Sequence, residues 1–375
     1  MNDSEIENGY MQIQGTKISA IGKMENIKPT PGEEITDCKG ALILPGFIDS
    51  HSHIGMWEDG LGFEGDDGNE ETDPITPNMR AIDAVNPFDH CFFEAREAGI
   101  TTVLTGPGST NPIAGQWCAI KTQGTRIDDM VINSNVGMKF SLGENPKTTY
   151  NAKSQAPVTR MATAALIREQ LQKAVRYMDD LKTADIDDEQ DLPEYDAKCE
   201  ALIPLLNRQT KAFFHAHRAD DIFTAIRISK EFNLDYVIIH ATEGYKIAKD
   251  LACENAHVIA GPIICDRSKP ELRELTSKNA AILTSNKVMC AICTDHPVMP
   301  IQYLTMAAAV AVRDGLTRTD ALRAITINAA KIVGIEDRVG SLEVGKDADF
   351  VVFEDDPLNP ISKPKYVYID GKSVI

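Results

Sequence analysis

Positive charge is the first thing this chain is short of. Its 375 residues carry 38 Lys and Arg against 56 Asp and Glu, a formal net charge of −18. Such a surface repels phosphate backbones and anionic headgroups, and no Lys/Arg cluster offsets it, so neither nucleic acid nor a membrane is an expected partner. Long apolar runs are also missing. No stretch approaches the 18 or so uncharged apolar residues of a membrane span, and residues 1–10 carry acids where a targeting peptide would carry a basic segment and an apolar run. The expected compartment is the cytoplasm. Cysteine is too thinly spread for a disulfide framework: the eight residues at 38, 91, 118, 199, 253, 265, 290 and 293 show no framework spacing and fit reduced thiols. Cys290 and Cys293 form a C-x-x-C inside an apolar run, where a strand sends positions i and i+3 to opposite faces, so both are read as core residues. Internal repeats and low-complexity segments are absent.

What remains is the composition of an ordinary globular protein, 43% hydrophobic and 25% charged, long enough for one large domain and a small one. The middle of the chain alternates short apolar runs with longer helical patterns. The runs lie at 46–51, 100–105, 117–122, 136–144, 212–217, 236–240, 257–262 and 289–295. Eight near-continuous hydrophobic strands separated by helices predict an α/β fold, a (β/α)8 barrel with its parallel sheet covered on the outside. The clearest helix is predicted at 220–232, with Asp220 as cap, Ile222 and Ile226 on one face and Asn233 at the exit.

Both ends of the chain read differently. Residues 10–22 alternate apolar and polar around a Gly-Thr turn, and residues 341–375 contain two more strand patterns, around Asp349 to Phe353 and Tyr366 to Ile369, without helices between. The economical arrangement is a small β-sandwich formed from both termini, with residues 1–44 and 336–375 flanking a barrel at 45–335. Residues 185–196 hold seven acids in twelve positions and read as a solvated loop between helices.

Histidines mark where the chemistry is expected. His51 and His53 lie in Phe47-Ile48-Asp49-Ser50-His51-Ser52-His53, and on a strand i and i+2 share a face, so both imidazoles enter one cavity near the C-terminal end, where barrel active sites lie. His215 and His217 close the run at 212–217, His240 closes the run at 236–240, and Asp295 closes the run at 289–295. Five of the eight histidines thus fall at strand ends. Imidazole with carboxylate is the donor set that zinc and its first-row neighbours prefer, so one or two divalent metal ions are expected, zinc first among them. His90 and His257 match no such position.

These residues resemble a known family. The segment Pro45 to Gly55, the strand ends at His215 and His240, Thr294-Asp295-His296-Pro297, Ile327-Asn328-Ala329-Ala330-Lys331 and the tail from Gly340 to Asp349 look like the amidohydrolase superfamily, with the imidazolonepropionase-related branch nearest. The resemblance runs over nearly the whole chain. It implies a barrel with a two-ended β-sandwich, a mono- or binuclear metal centre and hydrolysis of C–N bonds, but no particular substrate. Carried over, His51, His53 and Asp295 would bind the more buried metal, and His215 and His240 the second. The bridge between two metals would be a carboxylated Lys139, favoured here, or Glu144.

From these ligands follows a mechanism. Metal binding acidifies water from a pKa of about 15.7 towards 7. Asp295 would take the proton of that nucleophile and hand it to the leaving nitrogen. His217 and Arg218 would hold an oxyanion or a substrate carboxylate, and the small-residue loop with Gly108, Ser109 and Asn111 would line the mouth. The expected partner is a small molecule such as an amide, a cyclic amide or a dipeptide, and a homo-oligomer is compatible with the sequence without being specified by it. Two alternatives stand beside this reading. A ring aminohydrolase would pair its strand-five histidine with a glutamate three places on; here Arg218 follows His215, and the H-x-x-E occurs at His240 and Glu243. A metal-free scaffold would lack ligands that this chain has.

Overall fold

Each of the eight apolar runs forms a strand in the structure, a computed structural model that describes residues 1, 5–28, 32, 34–186 and 191–375. Two strands precede them, β1 (Gly9–Gln14) and β2 (Lys17–Lys23), followed by β3 (Leu42–Pro45). The central sheet contains β4 (Phe47–Ser52), β5 (Ile100–Thr105), β6 (Ile113–Lys121), β7 (Val131–Ser141), β8 (Lys211–Ala216), β9 (Tyr236–His240), β10 (His257–Ala260) and β11 (Cys290–Ile292), in sequence order. Beyond its paired register the first strand meets the last. Asp295 N donates to His51 O (3.0 Å) and His53 N to His296 O (2.9 Å), so the barrel nearly closes through the residues that carry the site.

One strand departs from the expected parallel set. β6 runs antiparallel to both β5 and β7. Only seven residues, 106–112, separate β5 from β6, and a parallel connection needs a dozen or more, so the chain can only turn back. The reversal sends Lys121 to the end of the barrel opposite His51. β11 is also shorter than the run at 289–295, because Thr294 donates to the Asp49 side chain and Asp295 turns into the left-handed region at φ +55°.

Alternation along the strands splits the core in two. Ile48, Leu104, Trp117, Val136, Phe213, Val237, Ile259 and Cys293 share one cluster, into which the helix Ile327–Val333 packs Ala329, Ala330, Ile332 and Val333. Phe47, Val103, Met138, Phe214, Ile238, Val258 and Cys290 face the other way, against the surrounding helices. Cys290 and Cys293 therefore sit in different clusters, both buried, as their spacing predicted. The helix at 220–232 is found at Ala219–Glu231; Arg218, not Asp220, is its N-cap residue, and Asn233 leaves it at φ +53°.

Both termini contribute sheet. β12 (Phe350–Phe353), β13 (Tyr366–Ile369) and β14 (Lys372–Ser373) form an antiparallel sheet in the order β14-β13-β12-β3. The β1–β2 hairpin docks beside it through Ile18 N to Lys346 O (3.0 Å) and Ala348 N to Thr16 O (2.8 Å), burying Ile18 with Ala348, Phe350 and Val352. Lys121, 4% exposed at its side chain, ties the barrel to this layer by reaching Asp347 (2.9 Å), Asp349 and Asp370 (3.4 Å). Of the acidic stretch at 185–196, residues 187–190 lie outside the described residues; before them runs the helix Arg160–Ile186, and Asp196 caps the short helix Ala197–Glu200. Among the described residues no helix is long and apolar enough to cross a membrane.

Candidate metal centre

Two groups of donors, buried but for the partly exposed Asp295, meet at the C-terminal ends of β4, β8, β9 and β11. In the first, His51, His53 and Asp295 bring their ligand atoms within 4.8 Å of one another. His51 Nε2 and His53 Nε2 stand 3.1 and 3.4 Å from Asp295 Oδ1. Asp49, two residues before His51, accepts from Thr294 Oγ1, Thr294 N (3.3 Å) and His51 N (3.2 Å), which clamps the strand bearing the histidines to the turn bearing Asp295. Burial pushes the Asp49 carboxyl up to about 7 against these hydrogen bonds. The second group is His215, His217 and His240, again within 4.8 Å. His217 thus stands with the second pair rather than beside it, its ring stacked on His240 at 4.5 Å.

Most of these rings are held by Nδ1, leaving Nε2 directed inward. His53 Nδ1 lies 2.6 Å from Gly106 O and His240 Nδ1 2.7 Å from Gly261 O. A carbonyl only accepts, so in both rings Nδ1 carries a hydrogen, and the neutral form of such a ring offers the Nε2 lone pair that a metal requires. Ser109 Oγ holds His215 Nδ1 (2.9 Å) and Thr242 Oγ1 holds His217 Nδ1 (2.7 Å). His51 is fixed by stacking on Trp117, 4.4 Å away and 5° from parallel. Trp117 in turn lies against Gly106, where an added Cβ would come within 2.1 Å of the indole, so only glycine fits.

Burial lowers His51, His215 and His217 well below the usual histidine range, and His240 to about 4, with neighbouring cations adding to the effect. All four are neutral near pH 7, as ligands must be. At Asp295 burial works upward, but His240, His51 and His53 outweigh it and hold the carboxyl well below its usual value. Lys139 is fully buried, its amine 4.9 Å over the Trp117 ring, and burial lowers it to about 7 against the pull of Asp295.

The donors fit a divalent ion. His51 Nδ1, His217 Nε2 and Lys139 Nζ are buried polar atoms with no hydrogen-bond partner, an arrangement that costs about 1–3 kcal/mol per group unless something binds them. Neutral imidazoles with one carboxylate form the set that zinc-like ions take.

The remaining candidates are placed otherwise. Glu144, expected at a strand end, is the first residue of the helix Glu144–Ala152, and its Oε2 accepts from Glu271 N (3.3 Å). It joins neither donor group. Asn111 is consumed internally: its Nδ2 donates to Glu70 O, Asp73 O and Thr76 Oγ1, and its Oδ1 accepts from Tyr150 Oη. Gly108 N donates to Gly68 O (2.7 Å), so this loop's amide faces protein instead of ligand. Ser109 reaches the site, but as the partner of His215. Arg218 pairs with Asp220 through two hydrogen bonds and lines a cavity of about 290 Å³ with Lys147, Arg160, Glu144 and Glu271. Glu243 accepts from Ala219 N (2.9 Å) and pairs with Lys246, so the H-x-x-E carboxylate serves a helix start.

Sequence reasoning missed Asp49 as a clamp and Glu271 altogether. Glu271 lies in the turn Pro270–Leu272 after β10, 3.7 Å from His215 Nε2 and 3.6 Å from His217 Nε2. No periodicity marks that loop, and only the fold brings it to the histidines. A third buried group, Asp89, Cys91 and His296, also lies within 4.8 Å, but the Asp89 oxygens already accept from Gly55 N (3.1 Å) and Cys91 N (3.2 Å).

Comparison with known proteins covers the same span. The profile of the amidohydrolase family matches residues 42–374. The chain is 29% identical to Amidohydrolase tasK of Hapsidospora irregularis over 94% of its own length but spans only 38% of that protein. It is 26% identical to the imidazolonepropionase of Fusobacterium nucleatum, covering 92% of this chain and 85% of that one. Among solved structures, an amidohydrolase from Thermotoga maritima superposes with TM-score 0.94 at 42% identity, over 97% and 94% of the two chains.

Proposed function

The chain belongs to the amidohydrolase family, enzymes that hydrolyse carbon–nitrogen bonds, and from that premise we propose that it cleaves the amide, cyclic-amide or dipeptide-like bond of a small molecule with the help of divalent metal. The observation that carries the reading is the convergence of His51, His53 and Asp295 with His215 and His240 at one end of the barrel, with Nε2 of His53 and His240 freed by the carbonyls on their Nδ1 atoms. Divalent ions, zinc foremost, supply Lewis-acid polarisation of the scissile carbonyl and acidify water.

The protein's own groups do the rest. Asp295 stays ionised, has 16% of its side chain exposed and faces both His51 and His53, so it can accept a proton from water and return it to the leaving nitrogen. Lys139, an unpartnered buried amine whose charge acts on His51, His215 and His240, would carry a carboxylate made from carbon dioxide and help to hold the metal. Glu144 is turned towards Glu271 and is the weaker candidate for that bridge. Arg218, on the wall of the adjoining cavity, is positioned to orient a substrate carboxylate. A ring aminohydrolase would pair the strand-five His215 with a glutamate three places on, where this chain has Arg218, and the Glu243 of the next strand is engaged elsewhere.

The test is a panel of small amides, cyclic amides and dipeptides, scored for released amine and carboxylate. Hydrolysis of one of these classes, lost with a chelator and restored by zinc, is the expected outcome. Release of ammonia from ring amines alone would make the protein an aminohydrolase, and turnover indifferent to chelation would overturn metal dependence.

A further inference from the structure

We infer that Glu271 and His217 are ligands of the second metal ion, beside His215 and His240, an assignment that rests on the metal-dependent reading above. His217 is 2% exposed and its Nε2 has no hydrogen-bond partner. Glu271, 1% exposed at its side chain, points Oε1 at the same space, 3.6 Å from His217 Nε2 and 3.7 Å from His215 Nε2. Those separations are too long for hydrogen bonds. They are close to the separations of neighbouring ligands on one ion, since bonds of 2.0–2.2 Å at tetrahedral angles place adjacent donor atoms roughly 3.3–3.6 Å apart, and 3.7 Å lies just beyond that range.

The orientation of Glu271 is imposed by its surroundings. Its Oε2 accepts from Glu144 N (3.0 Å) while Glu271 N donates to Glu144 Oε2 (3.3 Å), a reciprocal clasp that leaves Oε1 facing the histidines. Gly143 keeps the clasp tight, because an added Cβ there would fall 2.8 Å from Oε2. His217 is held from behind by Thr242 Oγ1, so its free nitrogen cannot turn away. Lys269 Nζ, 2.9 Å from Oε1, supports the carboxylate as an anion. Glu271 would then hold the second ion from the side of His215 and His217, with His240 and any Lys139 bridge completing its ligands, and Glu144 acts as the positioning residue for Glu271, which gives it a part in the centre without being a ligand.

The test measures metal, not turnover. In protein carrying His51→Ala and His53→Ala, which removes the first seat, cobalt(II) should bind at one equivalent with a visible ligand-field spectrum. Adding Glu271→Gln should weaken that binding by roughly tenfold or more and change the spectrum, while circular dichroism shows the fold retained. Should the double histidine variant not fold, the second of two cobalt equivalents in the otherwise native chain gives the same reading. Should Glu271→Gln not fold, Glu271→Asp withdraws the carboxylate and is expected to weaken binding in the same way. Binding and spectrum unchanged by Glu271→Gln would overturn the assignment alone. A native chain that takes up no cobalt would overturn the metal-dependent reading, and this assignment with it.

Discussion

Replacing Lys121 with Met should expose how the barrel is joined to the layer formed by both termini. The amine is nearly buried and faces three carboxylates. Asp347 would keep Lys17 (2.5 Å) and Arg338 (2.8 Å), but Asp349 would keep only the Asp370 amide (2.9 Å). Removing one member of a buried pair costs about 3–5 kcal/mol. An independent ceiling comes from protonation: neutralising a carboxyl of ordinary pKa 3.8 at pH 7 costs about 4 kcal/mol, so the loss cannot exceed that before Asp349 takes up a proton. A loss of about 3 kcal/mol, with an unfolding entropy of about 0.8 kcal/mol/K for a chain of this length, lowers Tm by about 4 °C. The sign with pH is fixed as well. Burial already raises Asp349 in the folded state, and without Lys121 its folded pKa rises further above the unfolded one, so the deficit is smallest near pH 4 and grows as pH rises towards 7. Thermal melts by circular dichroism at pH 5 and pH 7 read both effects. Adding Asp349→Asn should recover most of the loss. A Tm shift below about 1 °C, or one equal at both pH values, would refute the reasoning.

Asp295→Asn should retain metal yet lower kcat by about 10² to 10⁴ with little change in KM, because the amide keeps an oxygen ligand but accepts no proton; near-native turnover would remove Asp295 from the proton path. Lys139→Ala should lose activity that bicarbonate or short carboxylic acids partly restore, whereas an active Lys139→Ala, with metal lost from Glu144→Ala but kept in Glu271→Gln, would move the bridge to Glu144. In metal-free protein, burial lowers His296 to about 4, so the folded state holds fewer protons than the unfolded one. Its contribution, about 3 kcal/mol, is complete above pH 6.5 and lost as pH falls towards 4, and His296→Gln should flatten the acid limb of a Tm-against-pH curve; an unchanged limb would contradict this.

Much of this could be read from the residues because burial on both faces makes a strand nearly continuous in hydrophobicity. The runs around Ile100 and Tyr236 are strands from end to end, and i, i+2 spacing placed His51 and His53 together. The direction of β6 was not seen, although the short segment between Thr105 and Ile113 contained the reason. At the site, His215, His240 and Asp295 were singled out because each closes an apolar run, and the structure brings them into the two donor groups. Asn111 misled because a polar residue in a small-residue loop looks available, and only three-dimensional packing shows its amide satisfied by Glu70, Asp73 and Thr76. Glu271 left no trace in the sequence, since one of three acids in an irregular loop, beside Asp266 and Glu274, has no period to set it apart.

Metal content is the most direct test of the central claim. Elemental analysis of the purified chain should find between one and two equivalents of a transition metal, zinc before others, and His51→Ala with His53→Ala should lose about one of two, or all of one, while the fold persists. Less than about a tenth of an equivalent, with no uptake on adding zinc, manganese or iron, would contradict the account.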